Sequence, residues 1–220
     1  ESYSWAFAYQ LMALLMIINI LISISISSEK QNLDLVKLDY EKSLMEPIKD
    51  FFNRFGLKMA SILLLIVSTY RLTDIVMGPM ANPFYIDMGY TLSEIGYVVK
   101  VIALVGTIIG VFVGGILVKK AGLYKSLLTG AILVMLTNLL FSYAAINDKD
   151  VLMLASIVAS DSFAAGIVGT VNITFLTSLV SSKYTGFQYA LLTSLMAFLG
   201  KVFGGFSGVF VENFQNLYGF

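Results

Sequence analysis

The chain alternates long apolar stretches with short polar segments, and this pattern predicts a series of membrane-spanning helices. A helix crosses the roughly 30 Å hydrocarbon core with about 20 apolar residues, and six stretches reach that length. None has the strict alternation of a membrane β-strand. Because backbone groups in lipid must bond internally, all six are predicted to be α-helices. They cover about residues 5–26, 57–80, 92–118, 127–146, 151–180 and 187–211.

Composition supports an integral membrane protein. Hydrophobic residues make up 58% of the 220 residues and charged residues 13%, whereas soluble domains average about 25% charged residues. The chain contains no Cys and no His, which removes thiolate chemistry and the commonest general base and metal ligand. We therefore expect no enzyme, no metal and no cofactor. The 14 basic and 14 acidic residues balance, so net charge gives no argument for a nucleic acid partner.

The distribution of basic residues between the loops predicts the orientation. Loops on the cytoplasmic side of a membrane protein carry an excess of Lys and Arg. One side holds only Lys149 in its loops, and the other holds ten basic residues, so we expect the second side to be cytoplasmic. Those ten are Lys30, Lys37, Lys42, Lys49, Arg54, Lys58, Lys119, Lys120, Lys125 and Lys183.

The segment 28–56 is the one sizeable polar region, and its second half has an amphipathic pattern. Ile48, Phe51, Phe52 and Phe55 form one apolar stripe on a helix, and Pro47 is expected at the first helical position. One interpretation is a helix that lies on the inner membrane surface. The other is a linker helix that only connects two bundles.

Two rows of glycines, spaced four residues apart, lie in the third and sixth predicted spans. Each row forms a smooth groove that allows another helix to approach closely. The rows favour either static helix packing or a face that moves against a partner, and spacing alone does not separate these. A different signal, Gly78-Pro79, is expected to bend or end the second span. The rows are Gly106, Gly110, Gly114 and Gly200, Gly204, Gly208.

Five ionisable residues fall inside predicted spans: Arg71, Asp74, Lys100, Asp161 and Lys201. Each costs about 2.5–3.5 kcal/mol or more at a lipid-exposed helix centre, so they should face the bundle interior or a water-filled cavity. A rise of about 1.5 Å per residue places all five in one layer, from the midplane toward the outer side.

The charged layer allows two interpretations. Arg71 and Asp74 share a helix face because they are three residues apart, and the five charges could form a structural ion-pair network. Alternatively, they line a polar substrate site in which a buried carboxylate carries a proton. Three cations against two carboxylates leave a surplus positive charge, which favours an anionic substrate.

The segment after the third span is glycine-rich and basic. Residues 114–125 have the sequence GGILVKKAGLYK and resemble the G-x-L-x-D-R-x-G-R-R loop of the major facilitator superfamily. Lys120 occupies the place of an Arg, Lys119 replaces the acidic residue, and Leu123 replaces the next Arg. The matching positions are Gly115, Leu117 and Gly122.

Longer stretches resemble the AmpG-type muropeptide permeases of that superfamily. The resemblance covers about residues 41–220 and follows the order of the second half of that fold. The stretches that carry it are 70–74, 82–90, 94–96, 100–101, 122–125 and 188–194.

The resemblance implies an all-α polytopic membrane protein that contains, in part, the C-terminal six-helix bundle of the superfamily. The six spans would be helices 6 to 11 of twelve, and the glycine rows would fall on helices 8 and 11, which flank the interface between halves. Three regions are expected: 1–27 as the last helix of the first bundle, 28–56 as a cytoplasmic central loop with an amphipathic helix, and 57–220 as the second bundle, with about five helices and the start of a sixth.

The resemblance also implies proton-driven uptake of anhydro-muropeptides, released fragments of peptidoglycan, across a bacterial inner membrane. Expected partners are this small anionic sugar-peptide substrate, protons, the lipid bilayer and the missing amino-terminal half-bundle. The implied roles are substrate binding by Arg71, Lys100 and Lys201, proton coupling by Asp74 or Asp161, a gating loop of Gly115, Lys119, Lys120 and Gly122, and sugar contacts at Asn138, Thr170, Asn172, Thr174 and Gln188.

Three other functions stay open. The first is an anion carrier of the acetyl-CoA type in the same superfamily. The second is a non-transporting remnant of a split permease gene, because five or six helices cannot by themselves enclose a path that lies between two bundles. The third is a membrane-embedded enzyme, for which the sequence offers neither paired acids nor an evident nucleophile.

Overall fold

The computed structural model describes residues 5–25 and 40–218, and all regular secondary structure in these ranges is α-helical. Five described segments are long and apolar enough to cross a membrane, and the shorter segment Tyr9–Ser25 is also apolar. The predicted all-α membrane architecture is therefore confirmed. The helices are α1 (Trp5–Ser25), α2 (Tyr40–Thr69), α3 (Leu72–Asp87), α4 (Leu92–Ala121), α5 (Leu123–Ala145), α6 (Val151–Leu179) and α7 (Thr185–Tyr218).

The chain divides into two compact units, Glu1–Lys42 and Ser43–Phe220. The first contains α1, an apolar helix whose described side chains are exposed. The second contains nearly all of α2 and the whole of α3 to α7. The predicted loop positions Lys30 and Lys37 lie outside the described residues, as does the extreme end of the chain.

The first glycine row lies where α4 packs against α6. A Cβ built at Gly114 would lie 3.0 Å from the Cα of Ile167, and one at Gly110 would overlap the carbonyl oxygen of Phe163. The backbones of the two helices are thus in direct contact, as small residues allow in membrane bundles. Among the described residues this row serves close packing of α4 on α6 within the bundle, and the expected place of this helix beside the interface between halves stays a prediction.

The second glycine row is used in part in the same way. A Cβ built at Gly200 in α7 would lie 2.6 Å from the Cγ2 of Ile75 in α3. At Gly208 nothing lies within 4 Å of such an atom. The contact at Gly200 fixes α7 against the first turn of α3.

The second predicted span is interrupted at Tyr70 and Arg71, between α2 and α3, rather than at Gly78-Pro79. Pro79 was expected to bend or end the helix. It does not end it, because α3 continues to Asp87. Proline removes one helical donor, and neighbouring helices in a membrane bundle compensate for such a loss.

The amphipathic segment packs on protein. Its apolar stripe lies before Gly56, whose φ of 72° separates it from the rest of α2. Phe51 is 5% exposed and shares a buried cluster with Phe175, Leu179 and Leu192 of the end of α6 and the start of α7. A helix lying on the membrane surface would instead insert this stripe among lipids, so that interpretation is wrong.

Pro47 lies inside α2 and is fully buried, so its expected place at the first helical position is also wrong. The helix starts earlier, at Tyr40. The Pro47 carbonyl accepts a hydrogen bond of 2.8 Å from Nε2 of Gln188, which joins the amphipathic segment to α7.

Gln188 lies at the centre of a polar cluster that completes this attachment, and it is 2% exposed. Its Nε2 also donates to Asp50 at 3.0 Å, and its Oε1 accepts from Arg54 at 3.0 Å and from the Ser181 backbone N–H at 2.7 Å. Both polar atoms of the amide are therefore fully engaged. Arg54 extends the network to the Leu179 carbonyl at 2.9 Å.

We predict that Gly110→Ala destabilises the bundle by about 1–3 kcal/mol, because the added methyl group forces α4 and α6 apart. Gly96→Ala in the same helix is the matched control, since nothing lies within 4 Å of its Cβ position. Thermal unfolding in detergent micelles, followed by far-ultraviolet circular dichroism, measures both. Equal midpoints for the two variants would contradict the packing described.

We also predict that Gln188→Leu destabilises the protein, because it leaves buried partners without their hydrogen bonds, at a cost of about 1–3 kcal/mol. The control is Gln10→Leu, at an exposed position of α1. The same unfolding measurement applies. A midpoint unchanged in Gln188→Leu would show that the amide does not hold the amphipathic segment.

Candidate functional site

The interruption between α2 and α3 lies inside a candidate membrane span, Leu44–Asp87. Arg71 has φ −106° and ψ 10°, and no side chain caps the start of α3. The first backbone N–H groups of a helix have no partner within the helix. At membrane depth, broken helices are tolerated where protein or a water-filled cavity surrounds them. The interruption is therefore the place in this span where polar chemistry is expected.

Arg71 and Asp74 form an ion pair at this interruption. The Nε atom of Arg71 lies 3.5 Å from Oδ2 of Asp74, and the two side chains are 33% and 19% exposed. The predicted spacing of three residues on one helix face is confirmed. The contact is long for a charge-assisted hydrogen bond, which is typically 2.7–2.9 Å, so the pair keeps capacity for further partners.

A second carboxylate, Asp161 of α6, lies within electrostatic range of Asp74. Its carboxylate is partly buried, interacts electrostatically with Asp74 and lies beside the hydroxyl of Thr137 in α5. Tyr85, further along α3, interacts with the same carboxylate and is 5% exposed. The candidate site, here called the charged cluster, is therefore made of Arg71, Asp74 and Asp161, with side chains from three helices around it.

The structure does not bring Lys100 and Lys201 into the charged cluster. Both side chains are exposed, and neither forms an ion pair within the described ranges. Helical phase explains this for Lys100. Lys100 lies about 200° around the helix from the buried Val98. Its side chain therefore points away from the packed face of α4, although its place along the chain suits the predicted depth.

The charge balance of the cluster consequently differs from the expected surplus of positive charge. One guanidinium faces two carboxylates, because the two lysines point elsewhere. One of its carboxylates can hold a proton, and Arg71 can be offered to an anion. The cations that a larger anion needs must come from outside this cluster.

Two of the amides proposed as sugar contacts have other surroundings. Gln188 is fully used in the cluster that holds the amphipathic segment. Asn172 in α6 is 2% exposed, its Nδ2 lies 3.5 Å from Sδ of Met196, and its Oδ1 has no hydrogen-bond partner among the described residues. Neither amide is available to a substrate in this arrangement.

The expected gating loop is a tight turn. α4 ends at Ala121 and α5 begins at Leu123, so Gly122 alone connects them, with φ 83° and its N–H bonded to the Val118 carbonyl. Its carbonyl accepts from the hydroxyl of the fully buried Ser126 at 2.7 Å. A positive φ is strained for residues with a side chain, which explains glycine here.

The remaining residues of that predicted loop are accessible. Lys119 and Lys120 lie in the last turn of α4 with exposed side chains. Basic residues at a helix C-terminus are stabilised by the helix dipole. Gly115 has nothing within 4 Å of its Cβ position.

Sequence reasoning missed three side chains of this site: Tyr70, Tyr85 and Thr137. Tyr70 immediately precedes Arg71, and its hydroxyl bonds to the Leu127 carbonyl of α5 at 3.1 Å. All three lie in largely apolar segments, where Tyr and Thr are common and give no sign of a functional role. Only their placement beside the carboxylates and the helix interruption distinguishes them.

Comparison with known proteins places these features in a family. A family model described as Major Facilitator Superfamily matches residues 1–205. The chain is 28% identical over 213 residues to "Putative transporter AmpG 4" of Rickettsia conorii, a match that covers 95% of this chain and 51% of the relative. It is 34% identical over 173 residues to "Putative transporter AmpG 1" of Rickettsia prowazekii, covering 76% of this chain and 39% of the relative.

A third relative has a more specific name. The chain is 30% identical over 210 residues to "Anhydromuropeptide permease" of Escherichia coli strain K12, a match covering 94% of this chain and 42% of the relative. The chain thus spans about half the length of the curated relatives it matches. The resemblance to AmpG-type permeases seen in the sequence is confirmed by these names and by the family model.

Proposed function

The chain belongs to the major facilitator superfamily, and we propose that it forms part of a proton-coupled permease for anhydro-muropeptides. The proposed permease takes up these peptidoglycan fragments across the bacterial inner membrane. The observation that carries the proposal is the charged cluster of Arg71, Asp74 and Asp161 beside a helix interruption in a candidate span. The name of the Escherichia coli relative, an anhydromuropeptide permease, suggests the class of cargo.

In the proposed mechanism, Arg71 binds a carboxylate of the cargo. A guanidinium presents planar paired donors that match a carboxylate, and the long contact to Asp74 leaves donors free for the cargo. Lys100 and Lys201 are proposed as further cationic contacts. They are exposed on this chain, and we infer that they act from its surface, toward a complementary half-bundle.

The proton is assigned to the carboxylates. Asp161 is partly buried, forms no ion pair among the described residues and interacts electrostatically with Asp74. Protonation removes the repulsion between the two carboxylates. Asp74, already paired with Arg71, is the alternative carrier.

We propose that Gly115, Lys119, Lys120 and Gly122 form a cytoplasmic gate at the turn between α4 and α5. Two observations support this proposal. The turn consists of one residue with positive φ, so a small change there redirects two helices. The two lysines are exposed and can contact an acidic or anionic surface on the other half.

Uptake of labelled anhydro-muropeptide into proteoliposomes with an imposed proton gradient tests the proposal. The vesicles contain the chain assembled with its complementary half-bundle, and labelled acetyl-CoA is offered in parallel. Saturable, gradient-dependent muropeptide uptake is the expected result. Uptake of acetyl-CoA alone would favour the related anion carrier, and no uptake of either would favour a non-transporting remnant.

We predict that Arg71→Ala raises the KM for muropeptide about tenfold or more, the effect expected for the loss of a charge-assisted hydrogen bond. Lys49→Ala, at an exposed position of α2, is the control for loss of one positive charge. Equal amounts of both variants in the membrane exclude an insertion defect. Unchanged uptake by Arg71→Ala would remove this residue from the binding site.

We predict that Asp161→Asn abolishes the dependence of uptake on the proton gradient, because an amide cannot carry the proton. Downhill exchange of labelled for unlabelled cargo should persist. Asp148→Asn, in the exposed turn before α6, controls for the loss of one negative charge. A normal gradient dependence in Asp161→Asn, with its loss in Asp74→Asn, would transfer the role to Asp74.

A further inference from the structure

Tyr70 occupies the point where α2 gives way to α3. Its backbone N–H still donates to the Ile66 carbonyl at 2.9 Å, so it completes the last turn of α2. Its side chain is half-buried and reaches across to α5, where the hydroxyl donates to the Leu127 carbonyl at 3.1 Å. This hydrogen bond joins residues 57 positions apart in the sequence.

Gly130 makes room for this contact. A Cβ built at Gly130 would lie 2.6 Å from the Oη atom of Tyr70, 3.1 Å from Cγ2 of Val168 and 3.8 Å from Cζ of the tyrosine ring. A real Cβ does not approach an oxygen atom to 2.6 Å, so an alanine here would displace the hydroxyl. Glycine at position 130 thus leaves the space that the Tyr70 hydroxyl occupies.

The first turn of α3 is held from two sides. On one side the Tyr70 hydroxyl bonds to α5, and on the other Ile75 lies against Gly200 of α7. Arg71 and Asp74 lie between these two contacts along the chain. Because α3 has no capping side chain at its start, the side chains that reach other helices determine where the first turn sits.

We propose that Tyr70 is a positioning residue for the charged cluster, which it aligns by tying the helix interruption to α5 through its hydroxyl. The proposal rests on the proposed function, since it assigns the alignment to cargo binding by Arg71. Tyr70 does not contact the cargo. It acts by holding the backbone of Arg71 at a fixed distance from α5, which also carries Thr137 beside Asp161.

The lack of cysteine in the chain allows a direct measurement of that distance. Nitroxide labels on Thr73→Cys in α3 and Leu128→Cys in α5, both at exposed positions, report the separation of the two helices by electron paramagnetic resonance. Tyr70→Phe should shift or broaden the distance distribution. Tyr97→Phe, an exposed tyrosine of α4, should leave it unchanged.

Transport in the same vesicles tests the link to cargo. Tyr70→Phe should raise the KM for muropeptide about three- to tenfold, the range expected for loss of one interhelical hydrogen bond, with little change in maximal rate. Tyr97→Phe should not change either parameter. A raised KM with an unchanged distance distribution, or a shifted distribution with an unchanged KM, would overturn the positioning role.

A double substitution isolates the hydroxyl. Gly130→Ala alone should raise the KM, whereas Gly130→Ala added to Tyr70→Phe should have little further effect, because the nearest ring atom then lies at ordinary contact distance. The same KM increase in both backgrounds would assign the effect to Val168 and overturn the proposal. If the unmodified protein took up no muropeptide, both the proposed function and the role of Tyr70 in cargo binding would be wrong. The distances between the labels test separately whether the Tyr70 hydroxyl ties α3 to α5.

Discussion

Hydrocarbon offers no hydrogen bond to a backbone group and no hydration to a charge, and the bundle is organised by that constraint. An interrupted helix at membrane depth exposes backbone donors, and a partly buried arginine there needs an anion. Both occur at Tyr70 and Arg71, where α5 and α7 supply side-chain and backbone contacts.

The two polar clusters of the chain differ in how completely their hydrogen bonds are used. Gln188 has two donated and two accepted bonds, and it ties the amphipathic segment to α6 and α7. A fully satisfied network of this kind stabilises one arrangement. Arg71 instead has one contact of 3.5 Å to Asp74. The proposed binding role of the charged cluster rests on this incomplete use of strong donors.

The sequence was sufficient to predict the spans and the charges, because apolar length and buried charge are local properties. α4 was expected at 92–118 and ends at Ala121. Contacts between distant residues were not predictable in this way. The interruption at Tyr70 and Arg71 contains neither Gly nor Pro, and the Tyr70 hydroxyl there bonds to the distant Leu127 carbonyl. Likewise, a rise per residue predicts the depth of Lys100 but not which side of α4 has neighbours.

The composition of the charged cluster also bears on the order of events in the proposed transport cycle. With Arg71 and two ionised carboxylates the cluster carries one net negative charge, which repels an anionic cargo. One proton on Asp161 or Asp74 brings the cluster to neutrality and frees Arg71 to bind a carboxylate. Proton and cargo would therefore favour each other's binding, and by thermodynamic linkage the effect is equal in both directions. In this scheme the proton neutralises the cluster itself, because Lys100 and Lys201 lie outside it.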